Sequence, residues 1–341
     1  GLRRIITGIG DKNGIETEAG FDITPASEIM AIMCFATSVD DLRRRIDNIL
    51  LGITEDDKPF TVKDMGVGGS IVALLLDALK PNLVQTTEGT PAFVHCGPFA
   101  NIAHGCNSVM ATAAALEYGD YAITEAGFGA DLGAEKFYNI KCRKTGLQPD
   151  LTVLVVTLQA LKMHGGVAQE DIKKPNVAGM EAGYWNLDKH VKNLQSFGQT
   201  VVIAFNKFAT DTDEEIDVLR KHCEEMGCGF AVNSAFAEGG KGAMELAELV
   251  VKTIDEHPSA PLYFTYDDDE PVEKKIEDVA FNLYGAGSVT LSDSAKAMIE
   301  EIKKLGAEKF PICIAKTQYS FSTDAKAYGP TEGFELHVRD I

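Results

Sequence analysis

The sequence predicts an α/β protein with mainly parallel sheets, flanking helices and more than one domain. Short apolar runs bounded by Gly, Pro, Asn or Asp alternate with segments of helical periodicity, which is typical of strand and helix units that build a parallel sheet. The chain has 341 residues, of which 45% are hydrophobic, and this is enough apolar material for more than one buried core.

The predicted elements follow one another in this alternating order. The strand candidates are short apolar runs at residues 83–86, 121–124, 151–157, 200–205, 230–232 and 311–315. The helix candidates are residues 25–37, 109–116, 212–226, 243–256 and 272–283. The run Thr212-Asp213-Glu214-Glu215 has a capping-box pattern, which predicts that a helix begins there.

Composition excludes several classes of function. Lys and Arg number 32 against 51 Asp and Glu, so the formal charge of -19 disfavours a basic surface for nucleic acid. No stretch approaches the ~20 consecutive apolar residues of a membrane-spanning helix, and the first residues lack the apolar run of a secretory signal. We therefore expect a cytoplasmic protein whose partners are neither nucleic acid nor membrane.

The closest approach to a metal-binding pattern is a group of His and Cys residues. These are His95, Cys96, His104 and Cys106. The paired spacing of zinc ligands is absent, so reduced thiols are the favoured interpretation and no metal ligand is predicted.

One candidate ligand-binding segment is the loop at residues 88–108. It follows a predicted strand and leads into the small-residue helix at 109–116, where glycines and backbone N–H groups at a helix start can hold an anion. On spacing alone, a tight structural loop explains its Gly and Pro residues equally well.

A second candidate is the segment at residues 121–133. An apolar strand would deliver Glu125 and then a glycine turn with Asp131 to the end of a sheet where open α/β folds bind ligands. The third glycine falls at Gly133, one position late for a dinucleotide fingerprint, so a nicotinamide cofactor is disfavoured. No P-loop pattern occurs anywhere in the chain.

Two aromatic residues follow predicted strands. Phe208 comes shortly after the run 200–205, and Phe236 comes shortly after the run 230–232. They are either core residues or, if both are exposed in a cleft, a clamp for a flat heteroaromatic ring. Asn206-Lys207 resembles the base-reading element of P-loop GTPases, although Asp211 lies one residue too far along.

Several strings together resemble the formate–tetrahydrofolate ligase family. They lie at residues 18–28, 90–108, 124–137, 160–166, 208–212 and 315–322, so the resemblance runs from end to end of the chain. The first reads Glu-Ala-Gly-Phe-Asp-Ile-Thr-Pro-Ala-Ser-Glu and the last reads Ala-Lys-Thr-Gln-Tyr-Ser-Phe-Ser.

This resemblance implies an activity and a fold. The family activates formate with ATP to give formyl phosphate and ADP, and then transfers the formyl group to N10 of tetrahydrofolate. The implied fold is related to P-loop nucleotide-binding proteins. The implied small molecules are formate, ATP with Mg²⁺ and tetrahydrofolate, with a monovalent cation as a further candidate. A homo-oligomer is implied for the full-length form.

The resemblance also implies site residues. Phe208 and Phe236 would sandwich the pterin, with Ala209 and Val232 beside them. The other implied residues flank the phosphates and formyl phosphate: His95, Glu125 and Asp131 in catalysis, and Pro98, Phe99, Ala100, Asn101, Gly127, Phe128 and Gly129 in binding. Relatives have Trp at the position of Phe236, Pro at Ala209 and Gly at Cys96.

The implied domains are four. Residues 1–66 would be the remainder of an interrupted domain, 67–185 part of a nucleotide and formyl-phosphate domain, 186–330 a folate-binding domain, and 331–341 the start of a truncated segment. The chain begins without Met, within the apparent element at 2–6, so we expect it to be an internal piece of a longer protein. The family's phosphate-binding loop, its lysine and an arginine that holds formyl phosphate would precede this piece.

Two other functions remain open from the sequence. The first is a nucleotide-dependent protein that switches partners, for which Asn206-Lys207 is the supporting feature. The second is a non-catalytic module, because phosphoryl transfer needs positioned cations that this chain does not provide in a P-loop.

Overall fold

The computed structural model describes residues 4–20 and 23–341, so Phe21 and Asp22 of the string at 18–28, and Leu2 and Arg3 of the element at 2–6, lie outside the described residues. The chain forms two compact units. The first contains residues 1–84 and 91–125, and the second contains residues 85–90 and 126–341. The predicted functional domains, with limits after residues 66, 185 and 330, stay predictions.

The first unit combines short strand pairs with helices. In chain order its elements are β1 (Ile5–Thr7), β2 (Thr17–Ala19), α1 (Glu28–Phe35), α2 (Val39–Asp47), β3 (Leu50–Ile53), β4 (Pro59–Thr61), α3 (Val62–Met65), α4 (Gly68–Leu75), β5 (Asn82–Gln85), β6 (Pro91–Val94) and α5 (Val109–Tyr118). β1 pairs with β2 and β3 with β4, both antiparallel, and β5 pairs with β6. The residues that join β5 to β6, 85–90, count with the second unit.

The core of the first unit lies between its helices. Its buried members come from α1, α2, α3 and α4 and their ends, and they are Met33, Ala36, Leu42, Ile46, Val62, Val72 and Leu79. Helix α2 is strongly amphipathic in sequence, because Leu42 and Ile46 fall four residues apart on one face and arginines occupy the other. The side chain of Ser38 accepts a hydrogen bond from Asp41 N and so caps the start of this helix.

The second unit contains the parallel sheets. Its elements are α6 (Gly133–Lys136), a π-helical segment (Phe137–Cys142), α7 (Arg143–Thr145), β7 (Thr152–Val156), α8 (Leu158–His164), α9 (Val177–Glu181), α10 (Tyr184–Ser196), β8 (Val201–Asn206), α11 (Asp213–Glu225), β9 (Gly229–Asn233), α12 (Ala235–Glu238), a 3₁₀ segment (Gly239–Ala243), α13 (Met244–Glu256), α14 (Val272–Val279), a second π-helical segment (Ala280–Tyr284), β10 (Ser288–Leu291), α15 (Asp293–Lys304) and β11 (Glu335–Val338). Strands β10 and β11 pair in parallel.

The main sheet of this unit has three parallel strands in the order β7, β8, β9. The central strand β8 is buried from Val201 to Phe205, whereas β7 alternates between more and less exposed residues. Helix α10 contacts β7 and β8, and α11 and α13 contact β9. Because the three strands run the same way, their carboxyl ends meet at one edge of the sheet.

Most predicted elements are confirmed within a residue or two. The runs 151–157, 200–205 and 230–232 are β7, β8 and β9, and the helices predicted at 109, 212 and 243 are α5, α11 and α13. The predicted helix 25–37 is divided at Ser27, where the backbone is extended between a 3₁₀ turn and α1. The helix predicted at 272–283 is α-helical only to Val279 and continues as a π-helical segment.

Two predicted strands are wrong. Residues 121–124 have no regular structure, and Ile123 is 91% exposed, so this apolar run is not a buried strand. Residues 311–315 are also irregular; Ile312 N donates to the Tyr266 hydroxyl at 3.1 Å instead of to a neighbouring strand. The run 83–86 overlaps β5, which pairs only with β6. Short apolar runs alone do not distinguish paired strands from extended loops.

Among the described residues, no helix is both long and apolar enough to span a bilayer.

A buried ion pair fixes the start of α11. Lys162 Nζ lies 2.6 Å from Glu215 Oε1, and both side chains are 1% exposed. Glu215 Oε2 also accepts from the Thr212 hydroxyl at 2.7 Å in the predicted capping box. Lys162 Nζ donates to Lys174 O at 2.8 Å as well. The pair therefore joins α8, α11 and the segment before α9.

Replacing Lys162 with Met should lower the free energy of unfolding by about 3–5 kcal/mol, because Glu215 would remain buried without its counter-charge. Lys174→Met is the matched control, since Lys174 pairs with Asp171 at the surface and such pairs contribute roughly 0–1 kcal/mol. Urea unfolding of the two variants measures the difference. Equal losses of unfolding free energy in the two variants would contradict the prediction that the buried pair matters more to stability than the surface pair.

Candidate functional site

The aromatic residues at the carboxyl edge of the main sheet are exposed. Strands β8 and β9 end at Asn206 and Asn233, which are direct register partners. Phe208 follows β8 and is 43% exposed, and Phe236 lies in α12 and is fully exposed. The interpretation of both rings as core residues is therefore wrong. The parallel register places the two aromatic segments, which follow β8 and β9 and carry Phe208 and Phe236, at one sheet edge.

The residues predicted beside these rings differ in burial. Ala209 is exposed in the same loop as Phe208, whereas Val232 is half-buried within β9. Ala209 can thus contact a ligand freely, and Val232 can do so only with part of its side chain.

The Phe208 loop is closed by its own hydrogen bonds. Phe208 N donates to Asp211 Oδ2 at 2.8 Å, and Asp211 N donates to Phe208 O at 3.1 Å. Asn206 Oδ1 accepts from Asn233 Nδ2 at 2.8 Å. Reading a nucleobase would require the side chains of Asn206 and Asp211 to face a ligand, but each already bonds within the protein. These bonds weaken the support that Asn206-Lys207 gave to a partner-switching GTPase-like protein.

The glycine turn at residues 127–133 is compact. Gly129 has φ +74°, in the left-handed region that favours glycine, and its carbonyl accepts from Leu132 N at 2.9 Å and Gly133 N at 2.7 Å. A Cβ on Gly133 would lie 1.8 Å from Ala126 O, so only glycine allows α6 to begin against this turn. Phe128 is 57% exposed at the tip.

Asp131 is held by a lysine to which the sequence patterns assign no role. Lys316 Nζ lies 2.7 Å from Asp131 Oδ2, and the two side chains are 3% and 5% exposed. The same Nζ donates to Ser320 O at 2.7 Å and Thr317 O at 3.1 Å, and it lies 4.8 Å from the centre of the Tyr284 ring. Lys316 follows an apolar run and precedes a Thr- and Ser-rich loop, which was the available sequence signal.

Further ionisable groups lie buried close to this pair. Burial raises the pKa of Glu135 to about 7, opposed by a hydrogen bond from Asn139 Nδ2 at 2.8 Å. Burial also raises the pKa of Tyr284, with Glu135 and Asp131 adding to the effect. Tyr284 ends the second π-helical segment, and Glu135 lies two residues before the first. π-Helical segments occur frequently at functional sites.

In the first unit, His95 is already bonded through both ring nitrogens. Its Nε2 lies 2.8 Å from Ala78 O, and its Nδ1 lies 2.6 Å from Ser108 Oγ. Ala78 O can only accept, so Nε2 carries a proton and Nδ1 accepts from the hydroxyl in the neutral ring. Ser108 also caps α5 by accepting from Ala111 N at 2.9 Å. His95 must therefore lose one of these bonds before it can exchange a proton with a substrate.

The loop after His95 presents a mixture of buried and exposed residues. Pro98 and Ala100 are buried, whereas Phe99 is 43% exposed. Asn101 Oδ1 is buried and lacks a hydrogen-bond partner among the described residues. Such an acceptor suits a donor group of a ligand or a cation better than a phosphate oxygen. Glu125 is exposed.

Cys96 adopts a backbone conformation that favours glycine. Its φ is +58°, in the left-handed region, where a residue with a Cβ is strained. This conformation is the one that the Gly expected here from the family resemblance would adopt without strain. In the described part of the chain, no three His, Cys, Asp or Glu side chains are arranged to hold a metal ion.

The predicted site residues are thus distributed over both units. His95, Pro98, Phe99, Ala100, Asn101 and Glu125 belong to the first unit. Gly127, Phe128, Gly129, Asp131, Phe208, Ala209, Val232 and Phe236 belong to the second.

Comparison with known proteins identifies related sequences along the whole chain. The family model described as formate–tetrahydrofolate ligase matches residues 1–341. Proteins named formate–tetrahydrofolate ligase from Bacteroides fragilis, Bacteroides thetaiotaomicron and Parabacteroides distasonis are 66%, 64% and 63% identical over 341 residues. Each match covers 100% of this chain and 61% of the relative. The chain therefore spans about three fifths of the length of these relatives.

Glu135 should make stability depend on pH. Its folded-state pKa of about 7 lies above the ordinary value of 4.5, so its contribution is fully present below pH 4.5 and is lost as pH rises through 7. The decline should reach about 3 kcal/mol. Glu135→Gln should remove this part of the pH dependence, measured by unfolding between pH 4.5 and 8. The exposed control Glu248→Gln should keep it, and parallel curves for all three proteins would contradict the assignment.

Proposed function

The chain belongs to the formate–tetrahydrofolate ligase family, and from this premise we propose that it carries the folate-binding part of an enzyme that joins formate to tetrahydrofolate. The reaction uses ATP and gives 10-formyltetrahydrofolate, ADP and phosphate by way of formyl phosphate. The observation that carries the proposal is the pair of exposed aromatic residues, Phe208 and Phe236, at one edge of a parallel sheet.

A flat pterin suits this edge for a physical reason. Contact between an exposed aromatic ring and water is unfavourable in free energy. Stacking a flat ligand ring on it removes that contact and is therefore favourable. Phe208 and Phe236 follow adjacent parallel strands, so a ligand at this edge can reach both. Phe at position 236 offers a stacking face without the indole N–H of the Trp in relatives, so stacking without a side-chain hydrogen bond would hold the ring there.

In the first unit the loop around His95, and in the second unit the turn around Asp131, are each proposed as a segment that binds phosphate groups of the nucleotide or of formyl phosphate. In such a reaction the formate oxygen attacks the terminal phosphorus of ATP and ADP leaves. The folate N10 then attacks the formyl carbon, phosphate leaves, and N10 gives up its proton. Backbone N–H groups of glycine turns stabilise oxyanions of this kind. The proposed contributors of the first unit are residues 95–101 and Glu125, and those of the second unit, taken by itself, are Gly127, Phe128 and Gly129.

Within the second unit, Asp131 is proposed to act through the shape of the glycine turn. Its carboxylate is buried and paired with Lys316, so it can orient the turn from the protein side. Mg²⁺ would enter with the nucleotide, where it supplies charge neutralisation. Because no group of three suitable side chains is assembled in the described residues, we assign no protein ligand to Mg²⁺ or to a monovalent cation.

The remaining proposals concern the whole protein. Residues 67–185 would serve the nucleotide and formyl phosphate, and residues 186–330 the folate. The complete gene product would work in the cytoplasm as a homo-oligomer with small-molecule partners. The bonds made by Asn206 and Asp211 within their own edge support folate rather than nucleobase recognition there.

Removing either ring should weaken folate selectively. Stacking on an aromatic ring is worth about 1–3 kcal/mol, so Phe208→Ala and Phe236→Ala should each raise the tetrahydrofolate KM roughly 5- to 150-fold in the complete gene product. The KM for ATP and the melting temperature should change little. Phe310→Ala is the control, because Phe310 is also 67% exposed but lies away from the strand ends of this edge in sequence. A stability loss without a folate defect would refute the stacking assignment.

Asp131→Asn should lower turnover about 100-fold or more, because Lys316 would be left buried without its counter-charge and the glycine turn would lose the orientation proposed for it. The tetrahydrofolate KM should stay within about threefold, since stacking accounts for folate binding. Steady-state kinetics of the complete gene product measure both, with thermal unfolding recorded in parallel. Asp171→Asn, which removes a surface pair with Lys174, should leave turnover unchanged. Near-normal turnover of Asp131→Asn would contradict this role and leave Asp131 as a residue that only caps its loop.

A further inference from the structure

Two asparagines join the ends of the strands that precede the aromatic pair. Asn206 ends β8, Asn233 ends β9, and Asn233 Nδ2 donates to Asn206 Oδ1 at 2.8 Å. We propose that this amide pair is a positioning device that sets the gap between Phe208 and Phe236 for the substrate ring. The inference rests on the proposed folate site and adds residues to it that make no ligand contact of their own.

Asn233 is bonded to both aromatic segments. Its side-chain Oδ1 accepts from Ala235 N at 3.1 Å, and Ala235 is the first residue of α12, which carries Phe236. Its backbone carbonyl accepts from Lys207 N at 3.1 Å, and Lys207 directly precedes Phe208. A single residue therefore holds the start of both segments, and its bond to Asn206 fixes the plane of its amide group.

Other bonds make the two segments rigid beyond the amide pair. The Phe208 loop is closed by Asp211, as described above. On the other side, Ser234 N donates to Gly242 O at 2.9 Å, and Gly240 N donates to Glu88 Oε1 at 2.8 Å. Because the Asp211 and Gly242 bonds close the two segments, a change at the amide pair would shift each aromatic ring together with its segment.

The spacing that a sandwiched ring needs explains why such a device is useful. Neighbouring strands lie about 4.8 Å apart. Two rings that stack on opposite faces of a third must be about 7–8 Å apart, since carbon atoms pack at roughly 3.5–4.0 Å. The segments must therefore diverge by a defined amount after the strands end. The amide pair lies at the point where this divergence begins.

The chemistry of the amide group permits a sharp test. An Asn side chain presents both a donor and an acceptor, and it can turn over to offer either. Asn206→Asp and Asn233→Asp should each keep one hydrogen bond, because the remaining Asn can donate to the new carboxylate. The double variant has two acceptors and no donor, so its bond is lost and the two charges repel.

The experiment uses steady-state kinetics of the complete gene product. We expect each single Asp variant to change the tetrahydrofolate KM by less than about 3-fold and the double variant to raise it at least ~10-fold, with the ATP KM and kcat nearly unchanged. The neutral variant Asn206→Ala should raise the folate KM in the same direction. Without ligand, amide hydrogen exchange at Ala235 and Lys207 should accelerate in the double variant.

A control for added charge distinguishes loss of the amide bond from a general effect of two new negative charges. Gln195→Glu combined with Asn282→Asp adds the same charge at two exposed positions and should have no folate effect. The proposal is overturned if the double Asp variant equals the sum of the singles, or if melting temperature and the KM values for both substrates deteriorate together. If the alanine variants of Phe208 and Phe236 bind folate normally, the proposed folate site itself fails and this inference falls with it. If those alanine variants are defective and the amide pair shows no coupling, only this inference fails.

Discussion

The burial of strand β8 is the constraint on which the arrangement of the second unit depends. Its residues from Val201 to Phe205 are at most 4% exposed, and its backbone is paired with β7 on one side and β9 on the other. A shift of one residue would move every side chain to the opposite face and break both ladders. The strand ends are therefore fixed, and Asn206 and Asn233 lie opposite each other as a consequence.

Buried charges attach the irregular segments to this scaffold. Lys162 pairs with Glu215 at the start of α11, and Lys316 pairs with Asp131 in the glycine turn. Such pairs add little net stability over apolar packing, but removing one partner leaves a charge without compensation. Each pair also uses backbone carbonyls, so segments without strand or helix structure are held in one arrangement. Loops that must position reacting groups benefit from this kind of constraint.

The proposed folate edge and the proposed phosphate loops are built differently. The edge follows from strand register and short hydrogen-bonded segments, and its aromatic rings are exposed. The glycine turn instead depends on close backbone approach at Gly133 and on the buried Lys316 that pairs with Asp131. His95 serves a third purpose, because its two hydrogen bonds join Ala78 to the start of α5. In the proposed site it would support the loop at 95–101 unless a substrate displaces one bond.

The sequence alone determined the α/β class, the strands β7, β8 and β9, the capped start of α11 and the family, because these depend on local periodicity, capping chemistry and long matching strings. It could not distinguish the apolar runs at 121–124 and 311–315 from strands, since pairing requires a neighbour that only the folded chain supplies. It placed Phe208 and Phe236 after strands without deciding whether they are buried. It also left Lys316 and the Asn206 to Asn233 bond unassigned. Lys316 and Asp131 are 185 positions apart in the chain, and Asn206 and Asn233 are 27 positions apart. Tertiary packing and strand register make them partners, and local sequence patterns do not encode either.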